Sequence, residues 1–479
     1  MMTSAISRLR QLPWTLSACL GLVVGALAVL DPALSFRIDL SGLGGRLLAA
    51  FPYLVAAGST LFICFALLGW IGWDRWGGDQ VLLLLLVVSA YPGLPFVGTV
   101  SLLAVYWVTL ARAASGERWE IVGTPTYVFL LFYVGAIVFS IVPSELIVWV
   151  GSIAKKLILI AFFFFLVTTV RTRAQVQRCL AYYFMAGVAS ALFGLAQALA
   201  FYKAGVILLP YDVVEWWRSP LGLLPRATSF FGNPNWFGAA MAGVGVYMLW
   251  LGACGGGYYG RIKRGLLILG AIFAFLASFF SASRASWLGI IVALVLMPVV
   301  RRPWITLHYL LGLSILTAGG YFFGVIEPVL AKVEGLRPAA VGFRVYVAEL
   351  AWEAVRESPW LGVGMRGLDL FNNPFRLPAH NMILDVATEM GVAAAVGTIL
   401  WMLSLIIRAI RGLHAASQRP EVVFLQGAFL SFIAMLVYDQ FDVFFVLKTY
   451  WFHLGILEAA ILICAGKGLP KTARPIFGR

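Results

Sequence analysis

Apolar stretches long enough to cross a bilayer recur from residue 14 to residue 465, and that repetition decides what the chain can fold into. A helix crossing a ~30 Å hydrocarbon core needs roughly 20 apolar residues. Only 12% of the 479 residues are charged and the mean hydropathy is +0.93, whereas a soluble domain is about a quarter charged. The length therefore counts membrane spans, and a set of soluble domains is excluded. The formal charge of +14 follows from the Lys and Arg that orient a membrane protein, so nucleic acid is not implied as a partner. Cys19, Cys64, Cys179, Cys254 and Cys464 lie in or beside apolar runs without a CxxC pair, which supports neither a disulfide framework nor a cysteine metal site.

Taken in order, Arg8 and Arg10 precede a first span at 14–30 with no cleavage site before Asp31-Pro32, so the N-terminus is expected on the cytoplasmic side. A second span covers 47–72. The run 80–111 would be about 48 Å long as one helix and is interrupted by Tyr91-Pro92-Gly93-Leu94-Pro95, predicting a short hairpin or re-entrant pair. Spans follow at 127–142, 153–170 and 179–201, with the basic segment 171–178 as a cytoplasmic marker. Next come a span at 235–253 and a basic turn with Arg261, Lys263 and Arg264. The run 265–300, about 54 Å as one helix, has to fold as two spans that turn at Ser281–Arg284. Further spans are expected at 304–323, 382–407, 422–438 and 444–465.

The fold expected is an all-α polytopic integral membrane protein of about 12 transmembrane helices plus the short pair. The bundle occupies 1–323 and 382–466, interrupted by a long extracytoplasmic loop at 324–381 and followed by a cytoplasmic tail at 467–479. With both termini cytoplasmic, three unusual regions share the outer face: 202–233, the turn at Arg284, and 324–381. The loop is too short and too rich in Gly and Pro to fold alone, and reads as a lid.

Each region carries a candidate. Arg226 precedes Asn233-Pro234, a helix-start pair of capping Asn and first-turn Pro; a snorkelling arginine beside a structural cap fits the same residues. Arg284 sits in a tight turn with small neighbours such as Ser283, which would let a phosphate approach the backbone. An ionisable residue between two apolar spans marks a functional site unless it faces lipid headgroups. His380 is fixed between Pro378 and a capping Asn381. Asp385 and Glu389 follow four residues apart, hence on one helix face, and need partners; Arg or His from the other loops would serve. Arg344 opens an amphipathic helix at 343–357 with Tyr346, Leu350 and Ala354 on one stripe, a structural element with Arg344 as a possible ligand contact. His453 reads as packing within the last span, and Asp439 and Asp442 stand at the outer end of a span. No D-x-D pair occurs, so no metal is expected.

The arginine before F-x-G-N-P-N (Arg226 to Asn235), Ser283-Arg284, S-P-W-L-G-V-G at 358–364, and His380-Asn381 with Leu384 and Glu389-Met390-Gly391 occur in a fixed order. In this the chain resembles the O-antigen ligase and polymerase superfamily of bacterial envelope membrane proteins. The resemblance implies a GT-C-like membrane glycosyltransferase acting at the outer face of the cytoplasmic (inner) membrane. Its donor would be a glycan on a polyprenyl diphosphate and its acceptor a glycan or lipid-linked glycan. It places Arg226 and Arg284 on the diphosphate, where guanidinium suits bidentate contacts, and His380 as the general base. Arg344, Asn381, Glu389, Asp385 and Ser283 would support them. An inverting single displacement without metal or cofactor follows. A ligase is expected, with a repeat-unit polymerase as the alternative. From another class, a transporter of an anionic solute would be expected to show inverted repeats, and none is visible in the sequence.

Overall fold

The computed structural model describes residues 123–140, 146–205, 207, 215–219, 222–256, 259–301, 312, 339–369, 378–417 and 419–467. The expected spans at 14–30, 47–72 and 304–323, the pair at 80–111, part of the lid and the tail after 467 lie outside them.

These residues are helical apart from turns, one 3₁₀ turn at Gly367–Asp369 and one hairpin. The helices are α1 (Thr126–Phe139), α2 (Leu146–Thr169), α3 (Arg173–Ala204), α4 (Pro234–Cys254), α5 (Arg261–Phe280), α6 (Arg284–Arg301), α7 (Ala339–Glu357), α8 (Met382–Met390), α9 (Val392–Ala415), α10 (Val422–Tyr438) and α11 (Lys448–Cys464). Six stretches, Ser152–Thr169 within α2 and all of α3, α4, α5, α6 and α9, are long and apolar enough to cross a membrane, and α1 and α10 are shorter apolar helices. The chain is thus a mostly helical membrane protein.

Local chemistry explains the helix ends. Thr172 and Gln175 form a capping box, with Gln175 N donating to Thr172 Oγ1 and Thr172 N to Gln175 Oε1. The basic segment 171–178, expected as a cytoplasmic marker between two spans, thus opens a helix of 32 residues at Arg173. Asn233 caps α4 by accepting from Asn235 N and Trp236 N, with Pro234 at the first helical position. The run 265–300 breaks at 281–283 as its length required. The expected single span at 382–407 is instead two helices, because Gly391 adopts φ 86 between α8 and α9. A side chain there would collide with the Trp360 carbonyl. The lid's backbone passes too close for a continuous helix.

The region 202–233, expected as a polar-aromatic loop of an all-α protein, contains a hairpin: β1 (Trp216–Ser219) and β2 (Gly222–Pro225) pair antiparallel, Trp216 opposite Pro225 and Ser219 opposite Gly222. Its inward residues Trp217 and Leu224 bury with Ala282 from the turn before α6.

α4 is almost wholly buried and is the bundle's centre. Glycines bring its neighbours close: Gly238 meets Ser281, Ser283 and Ser286, Gly245 meets Phe275 of α5, and Gly243 faces Met435 and His453. The His453 ring is satisfied on both sides, by Tyr183 Oη and by Ser431 Oγ, each at 2.8 Å. Arg408 of α9 forks onto Glu458 of α11 (2.5 and 2.7 Å), and the Thr124 and Thr126 hydroxyls bond both members, leaving only Arg408 Nε of the pair without a hydrogen-bond partner among the described residues. A buried ion pair is tolerable when its polar atoms are partnered in this way.

Candidate active site

The Arg226 guanidinium is buried and tied to three parts of the chain. Its Nε donates to the Ser281 carbonyl (2.7 Å), Nη1 to Glu215 and Nη2 to Asn235 Oδ1. Its backbone continues the same knot, with Arg226 N on Glu215 O and Ala227 N on Phe280 O. Gln197 of α3 pins the following residues by accepting from Thr228 N and Ser229 N. Arg226 therefore joins the hairpin, the start of α4 and the turn before α6. Arg284, half-buried, opens α6 directly after that turn. Ser283 is buried and accepts from Ser286 Oγ. The small size of these serines serves the contact with Gly238 of α4.

Packing settles which ends face the same way. Gly289 of α6 abuts the Ala434 carbonyl of α10. Arg284 lies five residues before that crossing and Asp439 five after, each about 7.5 Å along its axis. At the other end of the two helices Gln426 Nε2 donates to Val300 O, so the helices are antiparallel. Arg284 and the 439–447 turn thus leave the bundle at one end. Ser431 Oγ donates to Gly243 O and, further along, Trp250 Nε1 donates to Val423 O, so α4 and α10 are antiparallel and the start of α4, with Arg226, lies at that end too.

His380 belongs to the same place. Met382 N donates to Asp439 O (2.9 Å), Asn381 Oδ1 caps α8 through Leu384 N, and Asn381 Nδ2 donates to Gln440 O. These bonds set His380 Nδ1 3.3 Å from Asp442 Oδ1, and Arg344 Nη2 reaches to 4.0 Å of Asp442 Oδ2. Asp442 is buried; burial by itself would raise its pKa, but the His380 hydrogen bond and charge and the Arg344 charge hold it below the ordinary aspartate value. A charged carboxylate can only accept, so Nδ1 is the donor and Nε2 is the nitrogen left for substrate. Three residues earlier Asp439 behaves oppositely. Burial pushes its pKa well up despite hydrogen bonds from Phe444 N and Phe445 N.

The lid helix α7 buries Val347, Ala351 and Ala354 against Leu368 and Ala379, with Leu350 partly covered. Tyr346, expected on that stripe, is exposed, so the buried face is rotated from the one read in sequence. The lid is sewn to α8 by Val363 N on Thr388 O and to the start of α9 by Val392 N on Pro359 O, both 2.8 Å. Glu389, expected to meet Arg or His, instead pairs with Lys156 of α2 at 2.7 Å and accepts from Arg366 N at 3.0 Å. Asp385 Oδ1 faces Ala379 N at 3.4 Å.

Non-glycine residues with positive φ among those described are Ser229 (49), Ala282 (51), Arg366 (58) and His380 (54). Each costs of order 1–3 kcal/mol, and such strain gathers at functional sites. One falls beside each feature singled out in sequence: the Arg226 loop, the Arg284 turn, the lid and the histidine.

The structure therefore joins His380, Asn381 and Arg344 around Asp442, and separately knots Arg226 to the Arg284 turn at the same end of the bundle. Asp442 and Lys156 were missed as site residues. The first was legible only as one carboxylate of Tyr-Asp-Gln-Phe-Asp, and the second as a lysine inside an apolar run, itself a signal.

No curated protein matches the chain. Residues 269–402, which hold Arg284, Arg344, His380, Asp385 and Glu389, match the family model described as O-antigen ligase, and this match supports the O-antigen ligase/polymerase superfamily.

Proposed function

We propose that the protein is a membrane glycosyltransferase of the O-antigen ligase type. It moves a glycan from a polyprenyl diphosphate to an acceptor hydroxyl at the outer face of the bacterial cytoplasmic membrane. The observation that carries this reading is the histidine held by a buried carboxylate, His380 on Asp442, inside the family-matched segment.

In this reading Asp442 holds the Nδ1–H, and His380 Nε2 takes the proton of the acceptor hydroxyl as its oxygen attacks the anomeric carbon. The bond from that carbon to the diphosphate oxygen breaks, and the electron pair leaves with the polyprenyl diphosphate. Backside attack inverts the anomeric centre, and the step needs no covalent intermediate or cofactor. Arg284 meets the developing negative charge. Arg226, expected on the diphosphate, is instead buried and engaged by Glu215, Asn235 and the Ser281 carbonyl, so its part here is to hold the turn that presents Arg284. Arg344 keeps Asp442 ionised, and Asn381 fixes the start of α8.

The test is transfer in proteoliposomes from polyprenyl-diphosphate glycan to candidate acceptors, comparing the wild type with Arg284→Ala. Transfer should fall by about 10²-fold or more with the arginine removed; unchanged transfer would remove the assigned role of Arg284. Treatment with EDTA should leave turnover intact. Its loss would return Asp439 and Asp442 as candidate metal ligands.

A further inference from the structure

The helix that follows His380, α8, is nine residues long, too short to hold its shape or place by its own hydrogen bonds. Its two ends are tied to different parts of the bundle. At the first end Met382 N donates to Asp439 O and Asn381 Nδ2 to Gln440 O, the bonds that bring His380 to Asp442. At the other end the tie is Glu389, about 10 Å further along the helix axis. Glu389 Oε2 pairs with Lys156 Nζ of α2 at 2.7 Å, and Oε1 accepts from Arg366 N of the lid at 3.0 Å.

One carboxylate thus joins α8, the lid and a membrane helix. The lid packs on this same end of α8: a Cβ added at Gly362 would lie 2.5 Å from the Glu389 carbonyl carbon, and Val363 N donates to Thr388 O. Arg366 holds φ 58 where its amide meets Glu389, a conformation that persists in a non-glycine residue when the surrounding structure enforces it. Lys156 is buried within the apolar stretch Ser152–Thr169, where a lysine is expensive and marks a function. Stability is a poor reason for the pair, because apolar residues of similar volume generally serve a buried site as well. Register is the better-attested use of such a pair. The distance along α8 keeps Lys156 and Glu389 from the bond that breaks beside His380, so their effect on transfer has to pass through the helix.

We propose that Lys156 is a positioning residue: through Glu389 it sets where α8 stands against the bundle and so holds His380 on Asp442, with the lid carried on the same carboxylate. The role in transfer rests on the function proposed above.

Lys156→Met/Glu389→Gln removes the tie to α2 without leaving a buried charge unpaired, and the Gln carbonyl oxygen still accepts from Arg366 N. In proteoliposomes, with rates normalised to folded protein, this variant should lose about 10²-fold in kcat, the cost of a displaced reacting group, with little change in donor KM. Lys156→Arg, which keeps the charge, should retain kcat. On a His380→Ala background the paired change should lower kcat no further, because two residues that act through one contact are not additive. Hydrogen exchange of the peptide holding Met382, whose amide bonds Asp439 O, should quicken in Lys156→Met/Glu389→Gln and not in Lys156→Arg. Unchanged kcat, unchanged exchange, an equal loss in Lys156→Arg, or a full further loss on the His380→Ala background overturns the role. The exchange measurement needs no turnover. A wild type that never transfers glycan would therefore sink the proposed function, while exchange still decides whether Lys156 seats His380. Transfer at the wild-type rate by the paired variant would do the reverse.

Discussion

His380 Nδ1 lies 3.3 Å from the carboxylate of Asp442, across 62 residues of sequence. Asp442 comes from the turn between α10 and α11, and His380 from the end of the lid. The contact joins the end of the lid to the turn between two membrane helices. A general base oriented in this way contributes typically 10²–10⁴-fold to a proton-transfer step.

His380→Ala should therefore lower kcat by about 10²–10⁴-fold with little change in donor KM, because the interaction is made in the transition state. Steady-state kinetics in proteoliposomes would show it, and unaltered kcat would remove His380 from the chemistry.

The two aspartates of one turn should respond oppositely to amidation. Asp442 has a depressed pKa, so its contribution is present above the unfolded value and lost as pH falls through the folded one. Its contact with His380 should hold at neutral pH, and Asp442→Asn should remove it there, reducing kcat about tenfold or more. Asp439, whose pKa is raised by burial, favours folding below its unfolded pKa and loses that as pH rises towards the folded one. Asp439→Asn keeps the acceptor for Phe444 N and should stay within about 1 kcal/mol of wild type. Thermal unfolding and pH–rate profiles of both variants would separate them.

Arg226→Ala should cost stability as well as activity, because Glu215, Asn235 and the Ser281 carbonyl lose their donor together. Breaking a buried ion pair costs about 3–5 kcal/mol. Glu215 is 38% exposed, and solvent screening lowers the expected loss to about 2 kcal/mol. A melting temperature equal to wild type would show that the knot is not structural.

Gly391→Ala tests the break between α8 and α9. An alanine there must hold φ 86 and clear the Trp360 carbonyl, so a loss of about 1–3 kcal/mol is expected, with the lid displaced. Hydrogen exchange at Val392, whose amide bonds Pro359 O, would rise. An unchanged exchange rate would argue that the lid docks without this break.

The parts legible in sequence were those written in local chemistry. Asn233-Pro234 started a helix because a side-chain oxygen can cap free amides, and 265–300 turned at 281–283 because one helix of that length exceeds the bilayer. Asn381 was read as a cap and is one. The stripe on α7 was read correctly at Ala354 and Leu350 but not at Tyr346, since Tyr346 and Val347 are both apolar enough to be the buried one and only Leu368 and Ala379 decide between them. The hairpin at Trp216–Pro225 escaped because its strands are four residues each, too short for a period to register.

By itself the sequence determined a bundle of membrane helices, the end of it where unusual residues gather, and the identity of His380, Arg226 and Arg284 as the residues to watch. Hydropathy, caps and charge act over one or two turns, and a linear reading contains all of them. Only the tertiary structure decided that His380 answers to Asp442, that Glu389 answers to Lys156, and that Arg226 is bound on three sides by its own chain. Those partners are set by how helices distant in sequence cross. The crossings depend on where glycines such as Gly238 and Gly289 let backbones approach, which no local pattern encodes.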